Sequence, residues 1–93
     1  MIISWKDRRL QAVAEGRRPK GFPTDLLAAT RRRVKRLEAA STLDELRSPP
    51  GHRLHALTGD REGQWSISVN DHFRICFRWN GLGAEDVEFT DYH

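Results

Sequence analysis

The chain has one cysteine, Cys76, so no internal disulfide can form and a disulfide-stapled secreted fold is excluded. Apolar residues never run for the ~18 positions that a membrane-spanning helix requires. The opening MIISWKDRRL meets charge at its sixth residue, where a secretory leader would continue apolar. Glycine-rich phosphate loops are missing, as are paired Cys-x-x-Cys and His-Glu-x-x-His spacings. His52 and His55, with His72, Cys76 and His93 elsewhere, are the only assortment a metal could use, and nothing in their spacing makes a ligand set; no metal or other cofactor is expected. With 93 residues there is room for one small domain, 1–93, and not for two. These absences together lead to the expectation of a soluble, reduced, cytoplasmic protein without membrane contact.

Charge is plentiful and unevenly divided. Residues 1–40 carry 11 Lys and Arg against 4 Asp and Glu, whereas residues 41–93 carry 5 against 9, which hides a strongly basic front half behind an overall +3. Such an asymmetry fits either a polyanionic partner met by the N-terminal elements or plain solvation of exposed helix faces.

Hydrophobic periodicity divides the chain the same way. Met1 to Trp5 is a short apolar run that can pair as a strand, and Lys6 to Glu15, with Leu10, Val13 and Ala14 at helical spacing, predicts a first helix stopped at Gly16. After the basic turn RRPKGFP, a second helix starts at Pro23-Thr24-Asp25. It runs to Ala40, with Leu26, Leu27, Thr30, Val34 and Leu37 on its apolar stripe. The opposite face gathers Arg31, Arg32, Arg33, Lys35 and Arg36, whose mutual repulsion an acidic or phosphate-bearing partner would relieve. Ser41 or Thr42 followed by Asp44 and Glu45 reads as a capped short helix to about Arg47, ended by Pro49-Pro50-Gly51.

From there the period becomes two. Strands are predicted over Arg53–Leu57, around Trp65, Ile67 and Val69, over Phe73–Trp79 and over Glu85–Tyr92, with turns at Gly59–Gly63, Asn70-Asp71 and Asn80–Gly83. Helices followed by a meander give an α+β fold, a small antiparallel sheet with two to three N-terminal helices on one face. Alternation turns Ser66, Ser68, Arg74, Cys76 and Arg78 to the face away from the helices, and Glu88, Thr90 and Tyr92 with them. Cys76 lacks an activating neighbour and reads as structural. An arginine, a phenol and the terminal imidazole of His93 are then able to meet on an open, basic face. RNA cleavage without a metal needs such groups: a base for the 2′-hydroxyl, an acid for the departing 5′-oxygen and a cation for the phosphoryl oxygens.

The run Gly51-His52-Arg53-Leu54, then Leu57-Thr58-Gly59-Asp60-Arg61-Glu62-Gly63-Gln64-Trp65, then Asn70-Asp71-His72-Phe73-Arg74-Ile75 and finally Val87-Glu88-Phe89-Thr90-Asp91-Tyr92-His93 resembles the HigB toxins of type II toxin-antitoxin pairs, within the RelE/ParE superfamily. The likeness spans essentially the whole chain and includes the opening apolar-Lys-Asp pattern. It implies a RelE-like microbial ribonuclease fold and a metal-independent endoribonuclease, an mRNA interferase that cuts message in the A site of the 70S ribosome, inhibits translation and arrests growth. A helix-turn-helix antitoxin of the HigA kind would neutralise it, and operator DNA would be met only through that antitoxin. By the same likeness Arg74 stabilises the scissile phosphate, Asp91 supports the site, Tyr92 positions or stacks substrate and His93 transfers protons. Members commonly carry lysine immediately before the GDR-x-G glycine where this chain has Thr58, so Arg53 or Arg61 is the candidate substitute cation. Arg17, Arg18, Lys20, Arg31, Arg32, Lys35 and Arg36 would meet ribosomal RNA phosphates or an acidic antitoxin surface. Two other readings stay open: a non-catalytic superfamily member that inhibits a partner such as DNA gyrase or acts as a co-repressor with its antitoxin, and a plain RNA-binding module.

Overall fold

The computed structural model describes residues 1–91. Helix α1, Arg8–Ala14, begins one residue after Asp7, whose carboxylate accepts the N–H groups of Arg9 and Leu10 at 3.0 and 3.2 Å. That cap satisfies two of the donors a helix start leaves orphaned. A 3₁₀ turn, Thr24–Leu26, leads into helix α2, Leu27–Ala39, with Leu27, Thr30, Val34 and Leu37 buried as the spacing predicts. The predicted third helix is a 3₁₀ segment, Leu43–Arg47. Thr42 and Glu45 form a reciprocal capping box there, with Glu45 accepting the Thr42 N–H at 2.6 Å. Those backbone donors hold the Glu45 carboxyl below its ordinary pKa.

Four strands follow: β1, His55–Ala56; β2, Trp65–Ser68; β3, Phe73–Trp79; and β4, Ala84–Asp91. They form an antiparallel sheet in the order β1-β2-β3-β4, so each strand pairs with its sequence neighbour. The N-terminal segment adds itself alongside β4 through two parallel bridges, Ile2 with Ala84 and Trp5 with Val87. Leu10 and Val13 of α1 and the apolar stripe of α2 pack on Ile67, Ile75, Phe77, Val87 and Phe89, which all face one side of the sheet. The α+β arrangement expected from the switch of period is therefore present, with the helices on one face.

Two sequence expectations need correction. The strand expected over Arg53–Leu57 shrinks to His55–Ala56, because Arg53 ends a 3₁₀ turn, Pro50–His52, in the left-handed region at φ 47° and cannot join the ladder. The face opposite the helices is also less wet than alternation suggests, since Ser66, Ser68 and Cys76 are all buried. Arg61, carried by the 3₁₀ turn Gly59–Arg61, reaches across that face to Glu88 at 2.6 Å and helps to roof its middle.

A slip in register between Cys76 and Arg78 marks a bulge in β4, where Asp86 takes a positive φ of 53°. The bulge lets both Ala84 and Val87 point into the core although they stand three apart. At the β3–β4 turn the chain passes so close to Met1 that a side chain on Gly83 would overlap the Met1 carbonyl. Gly83→Ala is therefore expected to loosen the N-terminal segment and cost about 1–3 kcal/mol, read as a lower urea midpoint.

His52 is fully buried and its Nδ1 lies 3.0 Å from the Leu46 carbonyl, while Nε2 has no partner among the described residues. Burial pushes its pKa down, helped by the nearby Arg33 and Arg36 and opposed by the carbonyl. The unfolded chain, with an ordinary imidazole near pH ~6.5, thus takes up a proton that the folded chain resists. Stability contributed by neutral His52 is present above that pH and is lost as pH falls towards the lowered folded value. Unfolding midpoints at pH 7.5 and 5.5 should differ less for His52→Asn than for the wild type; an equal difference would remove His52 from the account.

Candidate functional site

The site is built where the free ends of β3 and β4 meet the start of α1 and the basic turn. A cavity of about 450 Å³ opens there, lined by Arg61, Arg74 and Thr90 on the side of the sheet away from the helices and by Arg9, Gly21 and Pro23 on the helix side. Phe73, Phe89 and Asp91 complete its lining. The two phenyl rings stack with centroids 5.0 Å apart and planes 13° from parallel, and Phe22 tilts against Phe89 at 4.6 Å. Phe73 and Phe89 on the helix side of the sheet and Arg61 and Arg74 on the other thus share one cavity at the strand ends, a lining that suits a nucleotide, which presents both a π face and a phosphate.

Arg74 stands in the middle of the sheet, with Ser68 of β2 and Thr90 of β4 as its cross-strand neighbours. Its half-buried position limits the freedom of an otherwise floppy side chain. One step along the sheet, His55, Ser66, Cys76 and Glu88 form the adjacent cross-strand row. His55 is exposed, and its Nδ1 sits 3.2 Å from the Ser66 hydroxyl; the Cys76 thiol is 3.4 Å from the Thr90 hydroxyl.

Arg61 donates to both Glu88, at 2.6 Å, and Gln64, at 3.1 Å. The hydrogen bond to Glu88 raises the Arg61 pKa above its ordinary value, so this guanidinium is permanently charged and firmly placed. Lys6 approaches the same carboxylate at 3.7 Å. Glu88 is only 18% exposed and holds Arg61 against the edge of the cavity.

The structure brings Arg61, Arg74 and Asp91 to one cavity and leaves other candidates elsewhere. Thr58 is exposed at the start of the Gly59–Arg61 turn and does not line the cavity. Arg53 pairs with Asp71 at 3.0 Å beside the β2–β3 turn, also outside the cavity lining. Of Arg53 and Arg61, the two arginines expected to stand in for a lysine at position 58, only Arg61 lines this cavity. Tyr92 and His93 lie outside the described residues.

Among the basic residues of the front half, Arg18, Lys20, Arg32, Lys35 and Arg36 are exposed. Arg17 pairs with Glu15. Arg31 turns inward and donates to the carbonyls of Val13 and Arg17, both at 3.0 Å, closing the C-terminal end of α1. Arg33 donates to the Ser68 carbonyl at 2.8 Å, tying α2 to the end of β2; burial and repulsion from Arg32 and Arg36 lower its pKa. The basic stripe is thus partly structural cement.

Three side chains at or beside the site carried no signal that pattern reading could use. Arg9 reads as one more helix cation, because its approach to the sheet end depends on how α1 packs. His55 is visible as an imidazole but not as a neighbour of Ser66. Glu88 is placed outward by alternation, yet its pairing with Arg61, 27 residues earlier, is tertiary. His52 and His55 point to different environments, one sealed and one exposed. Among the described residues no group of three or more His, Cys, Asp or Glu is arranged to hold a metal ion, and no helix is long and apolar enough to cross a membrane.

The family described as the RelE-like toxin of type II toxin-antitoxin system HigB matches residues 4–93. The chain is 33% identical over 93 residues to the endoribonuclease HigB of Proteus vulgaris, with both chains covered in full. Against toxin HigB-1 of Vibrio cholerae serotype O1 it is 35% identical over 80 residues, covering 85% of this chain and 84% of the other. Together, the sheet-and-helix architecture and a match that runs nearly end to end establish that the chain belongs to the HigB-like toxins, the RelE-like toxins of type II toxin-antitoxin systems.

Proposed function

We propose that this toxin is a ribosome-dependent endoribonuclease of one domain, cutting mRNA in the ribosomal A site. The observation that carries the reading is the convergence of Arg61 and Arg74 on one cavity that Phe73, Phe89 and Asp91 also line. Tyr92 and His93 follow Asp91 directly in sequence. The Proteus vulgaris relative is named as an endoribonuclease, which supports the same chemistry.

In this reading the 2′-hydroxyl attacks the adjacent phosphorus and the 5′-oxygen leaves. Arg74 grips the phosphoryl oxygens as they gain negative charge, and Arg61, held by Glu88, adds a second fixed cation. His93 exchanges the proton and Tyr92 holds or stacks the substrate, with Asp91 supporting them. No step requires a metal. The exposed Arg18, Lys20, Arg32, Lys35 and Arg36 meet phosphates of ribosomal RNA or the acidic surface of a HigA-like helix-turn-helix antitoxin, through which operator DNA is reached.

Expression of the wild type should arrest growth, and primer extension should find cuts in a reporter mRNA only when ribosomes are present. Arg74→Ala should slow cleavage by ~10² to 10³, the usual cost of one electrostatic stabiliser, and removal of Tyr92 and His93 should abolish it. Growth arrest without any cut transcript would favour inhibition of a partner instead. Arg61→Ala should also slow cleavage, and Thr58→Lys in that background should recover part of the loss; no recovery would mean that position 58 cannot deliver charge to the cavity.

A further inference from the structure

The cavity has a cationic wall that the reaction just described does not use. Arg9 lies in the first turn of α1, and Asp7 fixes that turn through its backbone. Its guanidinium is exposed and extends over the basic turn, where Nη1 is 3.4 Å from the Gly21 carbonyl, a long contact to a neutral acceptor. Among the described residues it has no acidic partner, whereas Arg61 has Glu88. A cation in a first helical turn gains nothing from the helix dipole, so its own element does not account for it. Gly21 takes a φ of +86°, the left-handed backbone that glycine adopts without strain, and a Cβ there would meet Arg9 Nη1 only at ordinary contact distance, 3.8 Å.

Arg9 and Arg74 therefore line one cavity from opposite walls, the first from the helices and the second from the sheet, with Phe73 and Phe89 also in the lining. Three guanidiniums face one carboxylate, Asp91, and the carboxylate that neutralises Arg61 stands outside the lining. A single phosphate would be served by Arg74 and Arg61. A cation on the far wall fits the next phosphate of a chain that crosses the cavity. We propose that Arg9 forms a second phosphate subsite, holding the RNA backbone phosphate adjacent to the scissile one and drawing the strand from the sheet face towards the basic turn. This inference rests on the endoribonuclease reading above and adds a substrate-binding residue to it.

The test uses mRNA programmed on ribosomes and carrying a single neutral methylphosphonate at the linkage on one or the other side of the cut. Wild-type toxin should cut unmodified mRNA about tenfold faster than the mRNA neutralised at the Arg9-held linkage, in keeping with loss of one charge-assisted contact. Arg9→Gln should cut unmodified mRNA about tenfold more slowly than wild type and lose its sensitivity to that methylphosphonate. Arg9→Lys should fall between the two, and Arg8→Gln, whose side chain does not line the cavity, should match wild type. Thermal melting of each variant, together with the wild-type response to the methylphosphonates, keeps the result independent of folding. The subsite is overturned if Arg9→Gln cuts at the wild-type rate, if it keeps the full methylphosphonate effect, or if neither methylphosphonate slows the wild type. Unmodified mRNA left uncut by wild type would instead defeat the endoribonuclease reading, and the subsite with it.

Discussion

One carboxylate joins the two layers of this protein at the place where its site is built. Asp7 uses one oxygen to cap α1 and the other to accept the Phe89 N–H of β4 at 3.1 Å. The first turn of α1 is thereby pinned to the strand that carries Phe89, Thr90 and Asp91 into the cavity. Two hydrogen-bond donors at the helix start and one on the strand are satisfied by a single short side chain, which leaves little freedom in how α1 crosses the sheet. Arg31 fixes the other end of the same helix through the Val13 and Arg17 carbonyls. The helix that carries Arg9 is thus tied at both ends.

Much of this architecture can be read from the sequence, for identifiable reasons. The α2 stripe repeats at three and four residues for most of its length, and its apolar positions are the buried ones, so local periodicity and tertiary burial agree there. Thr42 and Glu45 announce their capping box by spacing alone. Reading fails where the controlling interaction lies far along the chain. Arg53 looks like the start of a strand until the preceding 3₁₀ turn forces it into the left-handed region. Ser66, Ser68 and Cys76 look solvent-facing because nothing local reveals that Arg61 and Glu88 meet above that face. Of the cavity lining, Arg74 is placed on the open face by alternation and Asp91 is singled out only by family likeness, whereas nothing in the pattern marks Arg9.

The basic front half illustrates how composition overstates function. Arg31 and Arg33 contribute fully to the charge count, but their hydrogen bonds hold α1 and β2 in place. Arg32 remains on the surface of α2 about one helical turn from the adjacent pair Lys35 and Arg36, which are also exposed. A polyanion approaching this helix meets a narrower strip than the run RRRVKR suggests, and the like-charge cost is partly relieved within the fold itself.

The margins of the sheet limit how another polypeptide can hold on. On one side β1 contributes two residues, too few to template a further strand; on the other, β4 is shielded by the N-terminal segment, whose Ile2 N–H is already given to Glu38 at 2.7 Å. Among the described residues, neither margin offers the long row of open peptide groups that strand addition exploits. What the described sheet margins present to a neighbouring polypeptide is therefore side chains more than unpaired backbone.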